Sequence, residues 1–473
     1  MKNFLSTKII ATVGPGSAGK IKELISSGVR VFRINSSHGN QREHSINIQN
    51  IRQISEELNL FIPIIIDLQG PKIRIGNLNE PVNLKEGEKI ILKPCAEQAE
   101  PGVIPVNYEE ITQKLEAGST ILLDDGKIEL KVTDPKKIEA LVIAGGILTS
   151  RKGLNIPGAT TSFPSVTEKD IEYIKFAVEK KIDFIALSFV RSAKDIEKAR
   201  EHISKAGGNI PIIAKIEKPQ AVENLTEIML ASDSIMVARG DLGIEISPER
   251  VPIIQKHLIR EANSYKKAVI TATQMLESMI GNPIPTRAEA SDVANAIIDG
   301  TDAVMLSGET AVGNYPVQAV KIMKSIAENV EKSNLCKYNV YESEAVESSN
   351  IDSQTIVSAT IRMLGEVGIN AIVAFTRSGF TAGLLSKAKP SVPVVAISDS
   401  KEVCLKLNLL WGVLPFYMEF SPSLTEEFLR KTDQFLVAET FLEKGDKIVI
   451  TGGMPHLSSG TTNFIRLHQI GSL

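Results

Sequence analysis

The stretch PIIIDLQGPKIR, residues 63–74, joins an apolar β-branched run to a tight turn and a basic return. The run ends in the carboxylate of Asp67, and a Gly-Pro pair then turns the chain toward Lys72 and Arg74. An acidic strand end before a turn is usually a solvated loop. Its meaning here depends on the runs of the same kind elsewhere in the chain.

Seven further runs of this type occur in the first two thirds of the chain, with helical patterns between most of them. They are KIIATV (8–13), VRVFRIN (29–35), DFIALSF (183–189), PIIAKIE (211–217), DSIMVAR (233–239), AVITAT (268–273) and DAVMLSG (302–308). Nearly continuous apolar runs are typical of parallel strands covered on both faces. Eight of them, alternating with helices, predict a closed (β/α)8 TIM barrel whose ligand site lies at the C-terminal strand ends.

The alternation is interrupted over residues 71–161, where KEGEKIILK, STILLDDGKIEL and KKIEALVIAGG indicate short strands and turns. We therefore expect a small β-barrel domain inserted after strand three, with the barrel formed by residues 1–70 and 162–340. After the polar segment YESEAVESSNIDS the alternation restarts. The runs INAIVAFT, VPVVAIS, VLPFYM, DKIVITGG and NFIRLHQI predict an open α/β domain over residues 345–473.

Composition excludes several classes of protein. The 473 residues carry a formal net charge of −3, which gives no basic surplus for binding nucleic acid. No apolar run reaches membrane-spanning length, and the N-terminus has no signal-peptide pattern, so we expect no membrane association. The three cysteines are odd in number and lack metal-binding spacing, which favours a reducing compartment and predicts a cytoplasmic protein.

Polar residues follow or end most of the predicted barrel strands. They are Arg33, Asn35 and Ser37 on the second run, Asp67 on the third, Lys215 and Glu217 on the fifth, Gly240 and Asp241 after the sixth, Thr273 on the seventh, and Ser307 and Glu309 on the eighth. Each one taken alone is best interpreted as a strand-end cap or a rim salt bridge. Gathered at one barrel mouth, these charges would be costly to desolvate without a ligand, so a functional site is the better hypothesis.

The residue types indicate the chemistry. Glu217 and Asp241 offer hard carboxylate oxygens that suit Mg²⁺ or Mn²⁺. Arg33, Arg74 and Lys215 supply positive charge that suits a phosphoryl group. A divalent metal with basic residues and little nucleophilic machinery is typical of phosphoryl transfer, although the chain has neither a P-loop nor the protein-kinase motifs.

The ordered set of motifs resembles the pyruvate kinase family along nearly the whole chain. The matching stretches are TKIIATVGPGS, RINSSHG, DLQGPKIRIG, KGLNIPG, AKIEK, ARGDLGIEI, TATQMLESM, PTRAEASDVANA and MLSGETAVGNYP. The resemblance implies phosphoryl transfer from phosphoenolpyruvate to ADP, giving pyruvate and ATP in the last step of glycolysis. It also implies a homotetramer. We expect the inserted domain to hinge at Gly70-Pro71 and near Pro157 and to close over the site, which excludes water.

The resemblance also implies roles for the individual residues. Glu217 and Asp241 would hold the metal, Lys215 would stabilise the transferring phosphoryl group, and Arg33 would orient it. Gly240 and Asp241 would receive the substrate carboxylate through backbone N–H groups, while Thr273 and Ser307 would serve protonation of the enolate. The positions that contact the nucleotide would be Asn35, Ser36, Ser37, His38, Arg74 and Lys152.

The family also uses a monovalent cation, whose ligands would be Asn35, Ser37, Asp67 and the carbonyl of Leu68. Potassium-dependent members carry Glu after the Gly-Pro turn and Thr-Lys before it, whereas this chain has Lys72 after it and Leu-Gln before it. We therefore expect the Lys72 ammonium to replace potassium and to leave Asp67 paired with a lysine rather than a metal, so that K⁺ is not required.

The segment FTRSGFTAGLL (375–385) predicts a loop whose backbone N–H groups face a phosphate, with a plain helix cap as the alternative. In the family such a loop binds a phosphorylated effector opposite a second glycine-rich loop, here residues 451–463. The positions concerned are Thr376, Arg377, Ser378, Gly379 and Thr381. Phe380 replaces the basic residue of bisphosphate-activated members, which favours a monophosphate effector or none.

Two other functions fit parts of the pattern. Another metal-dependent barrel, such as an aldolase or a mutase, could use Lys215 as a Schiff-base lysine, but Glu217 and the inserted domain disfavour it. A non-catalytic metabolite sensor would not need Lys215 together with both metal-binding acids.

Overall fold

The computed structural model describes residues 4–98, 100, 102–107, 115–157, 164–333, 335, 351–419, 425–453 and 461–472. The predicted domain boundaries at 162, 340 and 345 and most of the YESEAVESSNIDS segment lie outside these residues. In the part of the chain that the structure describes, no helix combines the length and the apolar character that a bilayer crossing requires.

The elements alternate in the barrel and C-terminal parts, and the inserted part is all β. The first barrel section contains β1 (Lys8–Thr12), α1 (Ile21–Ser27), β2 (Val29–Asn35), α2 (Gln41–Glu57) and β3 (Ile64–Asp67). The insertion contains β4 (Val82–Leu84), β5 (Lys89–Pro94), β6 (Val103–Val106), β7 (Thr120–Leu123), β8 (Ile128–Asp134), β9 (Glu139–Ala144), β10 (Gly146–Leu148) and β11 (Leu154–Asn155).

The second barrel section contains α3 (Glu168–Glu179), β12 (Phe184–Leu187), α4 (Ala193–Lys205), β13 (Ile212–Ile216), α5 (Pro219–Glu223), α6 (Leu225–Ala231), β14 (Ser234–Ala238), α7 (Arg239–Glu245), α8 (Val251–Ser264), β15 (Ala268–Ala272), α9 (Arg287–Ile298), β16 (Ala303–Leu306), α10 (Gly308–Ala311) and α11 (Pro316–Lys332). The C-terminal part contains α12 (Ile351–Glu366), β17 (Ala371–Phe375), α13 (Phe380–Lys387), β18 (Val394–Ser398), α14 (Lys401–Leu407), β19 (Val413–Tyr417), α15 (Glu426–Glu439), β20 (Lys447–Gly452) and β21 (Phe464–Gln469).

The eight predicted barrel strands are confirmed and form a closed barrel in the order β1-β16-β15-β14-β13-β12-β3-β2. Their pairings are parallel. β2 has the full length of its apolar run, and the other seven strands are one to three residues shorter than theirs. Successive residues face opposite sides, as strand geometry requires. Ile9 and Ala11 pack toward the surrounding helices, whereas Ile10 belongs to the core inside the barrel.

The inserted strands form a six-stranded sheet and a two-stranded sheet around an apolar core of their own. Alternation on β8 illustrates the pattern, because Ile128, Leu130 and Val132 are buried while the residues between them are at least partly exposed. The insertion therefore holds together without the barrel core, and its position on the barrel depends on the two connecting segments.

The C-terminal domain is an open sheet in the order β19-β18-β17-β20-β21, in which β21 alone runs antiparallel. The segment after α14 reaches into the N-terminal end of the barrel. Leu409 is 1% exposed and joins the interior core that contains Ile10 and Met305. Trp411 and Asn408 add hydrogen bonds to Asp302 and to the carbonyls of Arg30 and Phe61. This end of the barrel is thus filled by the C-terminal domain, which leaves the opposite end for ligands.

Candidate active site

Four charged side chains meet at the C-terminal mouth of the barrel. The register of β2, β3 and β13 brings Arg33 and Lys215 to opposite oxygens of Asp67. Arg33 Nε lies 2.7 Å from Oδ2, and Lys215 Nζ lies 3.1 Å from Oδ1. Lys215 Nζ also lies 2.8 Å from Glu217 Oε1 and donates to Ser188 Oγ at 2.7 Å. The sequence predicts that charged residues at these strand ends lie close together, and the structure brings these four side chains into contact.

The cluster is deeply buried, and within it Lys215 and Asp67 hold each other in their ionised forms. Burial alone would lower the pKa of Lys215, but the carboxylates of Asp67 and Glu217 outweigh it and raise that pKa. Burial acts in the opposite direction on Asp67, yet Lys215 and Arg33 keep its pKa below the usual range. Lys215 is therefore a permanent cation with fixed geometry, suited to stabilising a transferring anionic group.

Glu217 is a buried carboxylate held by one neighbour at each oxygen. Its Oε2 accepts the Phe189 N–H at 2.9 Å. Its Oε1 is buried and lies 2.8 Å from the Lys215 ammonium. Burial, together with the nearby charge of Asp241, raises the pKa of Glu217 despite Lys215. A buried carboxylate oxygen of this kind, next to a second carboxylate, fits a divalent cation.

Lys72 approaches Asp241 and not Asp67. Its Nζ lies 3.6 Å from Asp241 Oδ1, and both side chains are about one quarter exposed. The lysine that pairs with Asp67 is Lys215. Leu68 is buried beside this cluster, and its carbonyl accepts the Ser188 hydroxyl.

The predicted nucleotide positions divide into two groups. Ser36 is buried and binds the Asp67 carbonyl through both its N–H and its hydroxyl, so its role here is structural. Asn35 Oδ1 accepts the Ser37 N–H at 3.1 Å. Burial and several cations, with Arg74 the largest, lower the pKa of His38, which places this ring among positive charges.

Arg74 and Lys152 lie on the inserted domain. Arg74 donates to the Arg151 carbonyl, and Lys152 Nζ pairs with Asp124 at 2.8 Å. The structure thus places both basic residues on the inserted domain, while the RINSSHG residues lie on the barrel.

Thr273 lies just beyond β15 in an unusual backbone conformation, with φ of +65°, and Gln274 follows at +51°. Its hydroxyl accepts the Gly240 N–H at 2.7 Å, so the donor predicted for a substrate carboxylate already faces this side chain. The buried Arg239 guanidinium donates to the carbonyls of Thr273 and Gln274 and holds the strained turn. A strained backbone conformation that several surrounding contacts hold in place is typical of functional sites.

Ser307 caps the short helix α10 at the end of β16, and its N–H donates to Glu309 Oε2 at 2.7 Å. Among the described residues, its buried hydroxyl meets no hydrogen-bond partner. Glu309 also accepts the Leu276 N–H, which ties the turn after Thr273 to the end of β16.

Sequence reasoning missed three residues that shape the site. Ser188 lies in the predicted strand DFIALSF, Arg239 precedes the glycine in ARGDLG, and Asp170 accepts the hinge Gly70 N–H at 3.2 Å. The position of Ser188 after an apolar run was a usable signal. The bonds of Arg239 and Asp170 depend on loops from distant parts of the chain.

In the C-terminal domain, the loop before α13 is closed by its own side chains. Gly379, at φ of +88°, donates its N–H to Thr376 Oγ1, and Arg377 Nε pairs with Asp399 Oδ2 at 3.1 Å. The Thr381 hydroxyl contacts that of Thr462 at 2.8 Å, so this loop faces one end of the second glycine-rich loop. Ser378 lies on the same turn, and residues 454–460 lie outside the described range.

Comparisons with known proteins agree with this organisation. A family model described as "Pyruvate kinase, barrel domain" matches residues 4–320, and one described as "Pyruvate kinase, alpha/beta domain" matches residues 354–468. Curated pyruvate kinases from Staphylococcus aureus strains USA300 and bovine RF122 / ET3-1 are each 42% identical to the chain over 472 residues. The matches cover 98% of this chain and 80% of each relative.

A closed parallel barrel with an ionic site at its mouth, a β insertion and a C-terminal α/β domain place the chain in a class of three-part barrel proteins. The chain belongs to the pyruvate kinase family.

Proposed function

We propose that the chain transfers the phosphoryl group of phosphoenolpyruvate to ADP, yielding ATP and an enolate that is protonated to pyruvate. The observation that supports this most directly is the buried Lys215 ammonium, held 3.1 Å from Asp67 and 2.8 Å from Glu217 at the barrel mouth. A fixed cation there stabilises charge on a phosphoryl group as it passes between two oxygens. Arg33, braced by the other oxygen of Asp67, orients the phosphate.

Glu217 and Asp241 would hold Mg²⁺ or Mn²⁺ together with substrate oxygens and water. The buried Glu217 carboxylate lies close enough to Asp241 for that charge to raise its pKa, and this pairing of two carboxylates supports the assignment. When bound, the ion supplies Lewis-acid neutralisation of the phosphoryl and carboxylate oxygens.

Protonation of the enolate is assigned to the face lined by Thr273. Its hydroxyl accepts the Gly240 N–H. This contact is next to the backbone of Gly240 and Asp241, which would bind the substrate carboxylate. The Ser307 hydroxyl is free to join a proton relay. The nucleotide would lie between the RINSSHG residues, including Asn35, Ser37 and His38, and the basic residues Arg74 and Lys152.

Potassium independence is a further part of the proposal. Lys72 brings an ammonium to the metal-site carboxylate Asp241, at 3.6 Å, from the turn that follows Asp67. This fixed charge replaces the one that a potassium ion would supply near Asn35, Ser37, Asp67 and the Leu68 carbonyl.

The test is the rate of pyruvate formation from phosphoenolpyruvate and ADP with Mg²⁺, in potassium-free buffer and after KCl is added at constant ionic strength. We expect full activity without potassium. The Lys72→Glu variant provides the matched control, because it should lose activity in potassium-free buffer and regain it with KCl. A wild-type rate that rises many-fold with KCl would refute the role of Lys72 and leave the enzyme assignment intact. Absence of turnover from folded protein in both buffers would refute the assignment.

Three broader features belong to the same proposal. A monophosphate-type effector would bind near Thr376, Arg377, Ser378, Gly379 and Thr381. The subunits would form a homotetramer. The protein would be located in the cytoplasm. The facing contact between Thr381 and Thr462 supports the effector site. Substrate saturation curves with a panel of sugar phosphates and AMP test it, and unchanged curves would remove it.

A further inference from the structure

The two segments that connect the inserted domain to the barrel line one small cavity, and a polar cluster of Asn155, Lys218 and Glu245 lies beside it. A cavity of about 30 Å³ lies between Lys72 on the outgoing segment, Asn155 on the returning segment, and Phe189 and Lys218 of the barrel. Because the inserted domain has its own core, these segments decide how it sits over the active site.

Glu245 is the centre of this cluster. Its side chain is 3% exposed, and its Oε1 accepts both the Asn155 amide at 3.0 Å and the Lys218 ammonium at 2.5 Å. Asn155 is the last residue of β11 and is itself 8% exposed. A buried ion pair of this kind adds little net stability compared with apolar packing, so positional specificity is the better explanation for it.

Each partner of Glu245 leads to a different part of the reaction site. Glu245 is the last residue of α7, whose first turn contains Gly240 and Asp241. Lys218 directly follows Glu217 and lies 5.5 Å from the centre of the Phe189 ring. Phe189 in turn holds Glu217 through its N–H and packs against the hinge at Gly70.

We propose that Asn155, Lys218 and Glu245 form a latch that fixes the returning connection of the inserted domain to the metal- and carboxylate-binding elements of the barrel. Glu245 is then a positioning residue for the reaction, and the inference rests on the proposed function. Loss of the Asn155 contact frees the inserted domain, which covers the nucleotide, while the Lys218–Glu245 pair keeps the shape of the phosphoenolpyruvate pocket on the barrel.

The variants that test the latch are Asn155→Ala, Glu245→Gln and the double variant. Lys89→Ala is the control, because it removes an exposed ion pair with Glu139 on the inserted domain, away from its base. We expect Asn155→Ala to raise the KM for ADP at least fivefold while the KM for phosphoenolpyruvate changes less than twofold. Since both single changes break one latch, the double variant should be no worse than the more affected single variant.

Hydrogen–deuterium exchange in the absence of substrates provides a readout that does not require turnover. Residues 70–76 and 153–157 should exchange at least fivefold faster in Asn155→Ala and in Glu245→Gln than in wild type, and Lys89→Ala should match wild type. Unchanged exchange at these segments would overturn the latch even if the enzyme is active. Equal rises in both KM values, or effects that multiply fully in the double variant, would also overturn it. Loss of pyruvate formation by wild type would refute the proposed function but not the exchange result.

Discussion

At the scale of single residues, Thr273 joins a strained backbone to a reactive position. A φ of +65° is rare for a β-branched residue, and two carbonyl bonds from Arg239 hold the turn in place. This backbone conformation places the Thr273 hydroxyl where it accepts the Gly240 N–H at 2.7 Å. The sequence places Thr273 at a strand end but carries no signal of this conformation, because the turn depends on a guanidinium from the preceding βα unit.

We predict that Thr273→Ala lowers kcat about 100-fold, the range typical of a lost proton donor or positioned hydroxyl. Thr273→Ser keeps the hydroxyl and removes the β-branch, so it should stay within about threefold of wild type. Steady-state kinetics of pyruvate formation measures both, with thermal unfolding as a check on folding. Equal losses in the two variants would show that the side-chain shape, and not the hydroxyl, matters.

At the scale of elements, periodicity predicts the barrel strands well, because each strand is buried on both faces and must be apolar almost throughout. Lateral pairing is harder to predict. Asp67 pairs with Arg33 and Lys215, whereas Lys72 approaches Asp241. These pairings follow from the register of β2, β3 and β13 and from the angle at which the chain leaves β3. Short-range sequence patterns contain neither quantity.

Gly70 shows how that exit is fixed. Its φ is +67°, and a β-carbon there would lie 2.6 Å from Phe189 Cδ2. Its N–H bonds to Asp170, the residue that also completes the N-terminal capping box of α3. The turn can therefore be made only by a residue without a side chain.

We predict that Gly70→Ala lowers the free energy of unfolding by about 2–4 kcal/mol, since overpacking adds to the backbone strain. Gly87→Ala is the matched control, because Gly87 has φ of +81° with open space around its β-carbon position. It should lose only about 1 kcal/mol, the backbone contribution. Urea denaturation measures the free energy of unfolding of the two variants. Equal losses would mean that the Phe189 ring moves away from the new methyl group at no energetic cost.

At the scale of the whole molecule, the sequence predicts three units but not how the last one is docked. Leu409 occupies the barrel interior, and the buried Lys387 ammonium pairs with Asp302 at the strand ends below it. Asp302 also accepts the N–H groups of Val269 and Trp411. An apolar loop residue and a helical lysine look ordinary in sequence, because their partners are more than eighty residues away.

We predict that Lys387→Met destabilises the protein by about 3–5 kcal/mol, because it removes the ion-pair partner of the buried Asp302 carboxylate. Lys256→Met is the control, since Lys256 is half-exposed in its pair with Asp299 and should cost less than about 1 kcal/mol. Urea unfolding followed by the fluorescence of Trp411, which lies at this interface, measures both. A loss below about 1 kcal/mol for Lys387→Met would mean that the pair is not needed for docking.

Lys8 gives the same interface a dependence on pH. It is 2% exposed, and its Nζ donates to the Val413 carbonyl at 2.6 Å across the interface. Burial and the charge of Arg30 lower the pKa of Lys8 to about 7, and Glu331 and Asp302 only partly oppose them. The unfolded chain has the ordinary value of 10.5, so between these two pH values the unfolded state binds more protons than the folded state.

The Lys8 contribution to stability is therefore fully present above pH 10.5 and is lost as the pH falls toward 7. Relative to Lys8→Met, wild type should gain stability from pH 7.5 to pH 9 with a slope approaching about 1.4 kcal/mol per pH unit, the limit for one proton. Desolvation also lowers the pKa values of the partly exposed Lys267 and the buried Lys387, but these effects are shared by both proteins and cancel in the difference. Urea denaturation of the two proteins at several pH values measures this difference. Parallel stability curves would mean that Lys8 stays protonated inside the interface, and its contact with Val413 would then be a charged one.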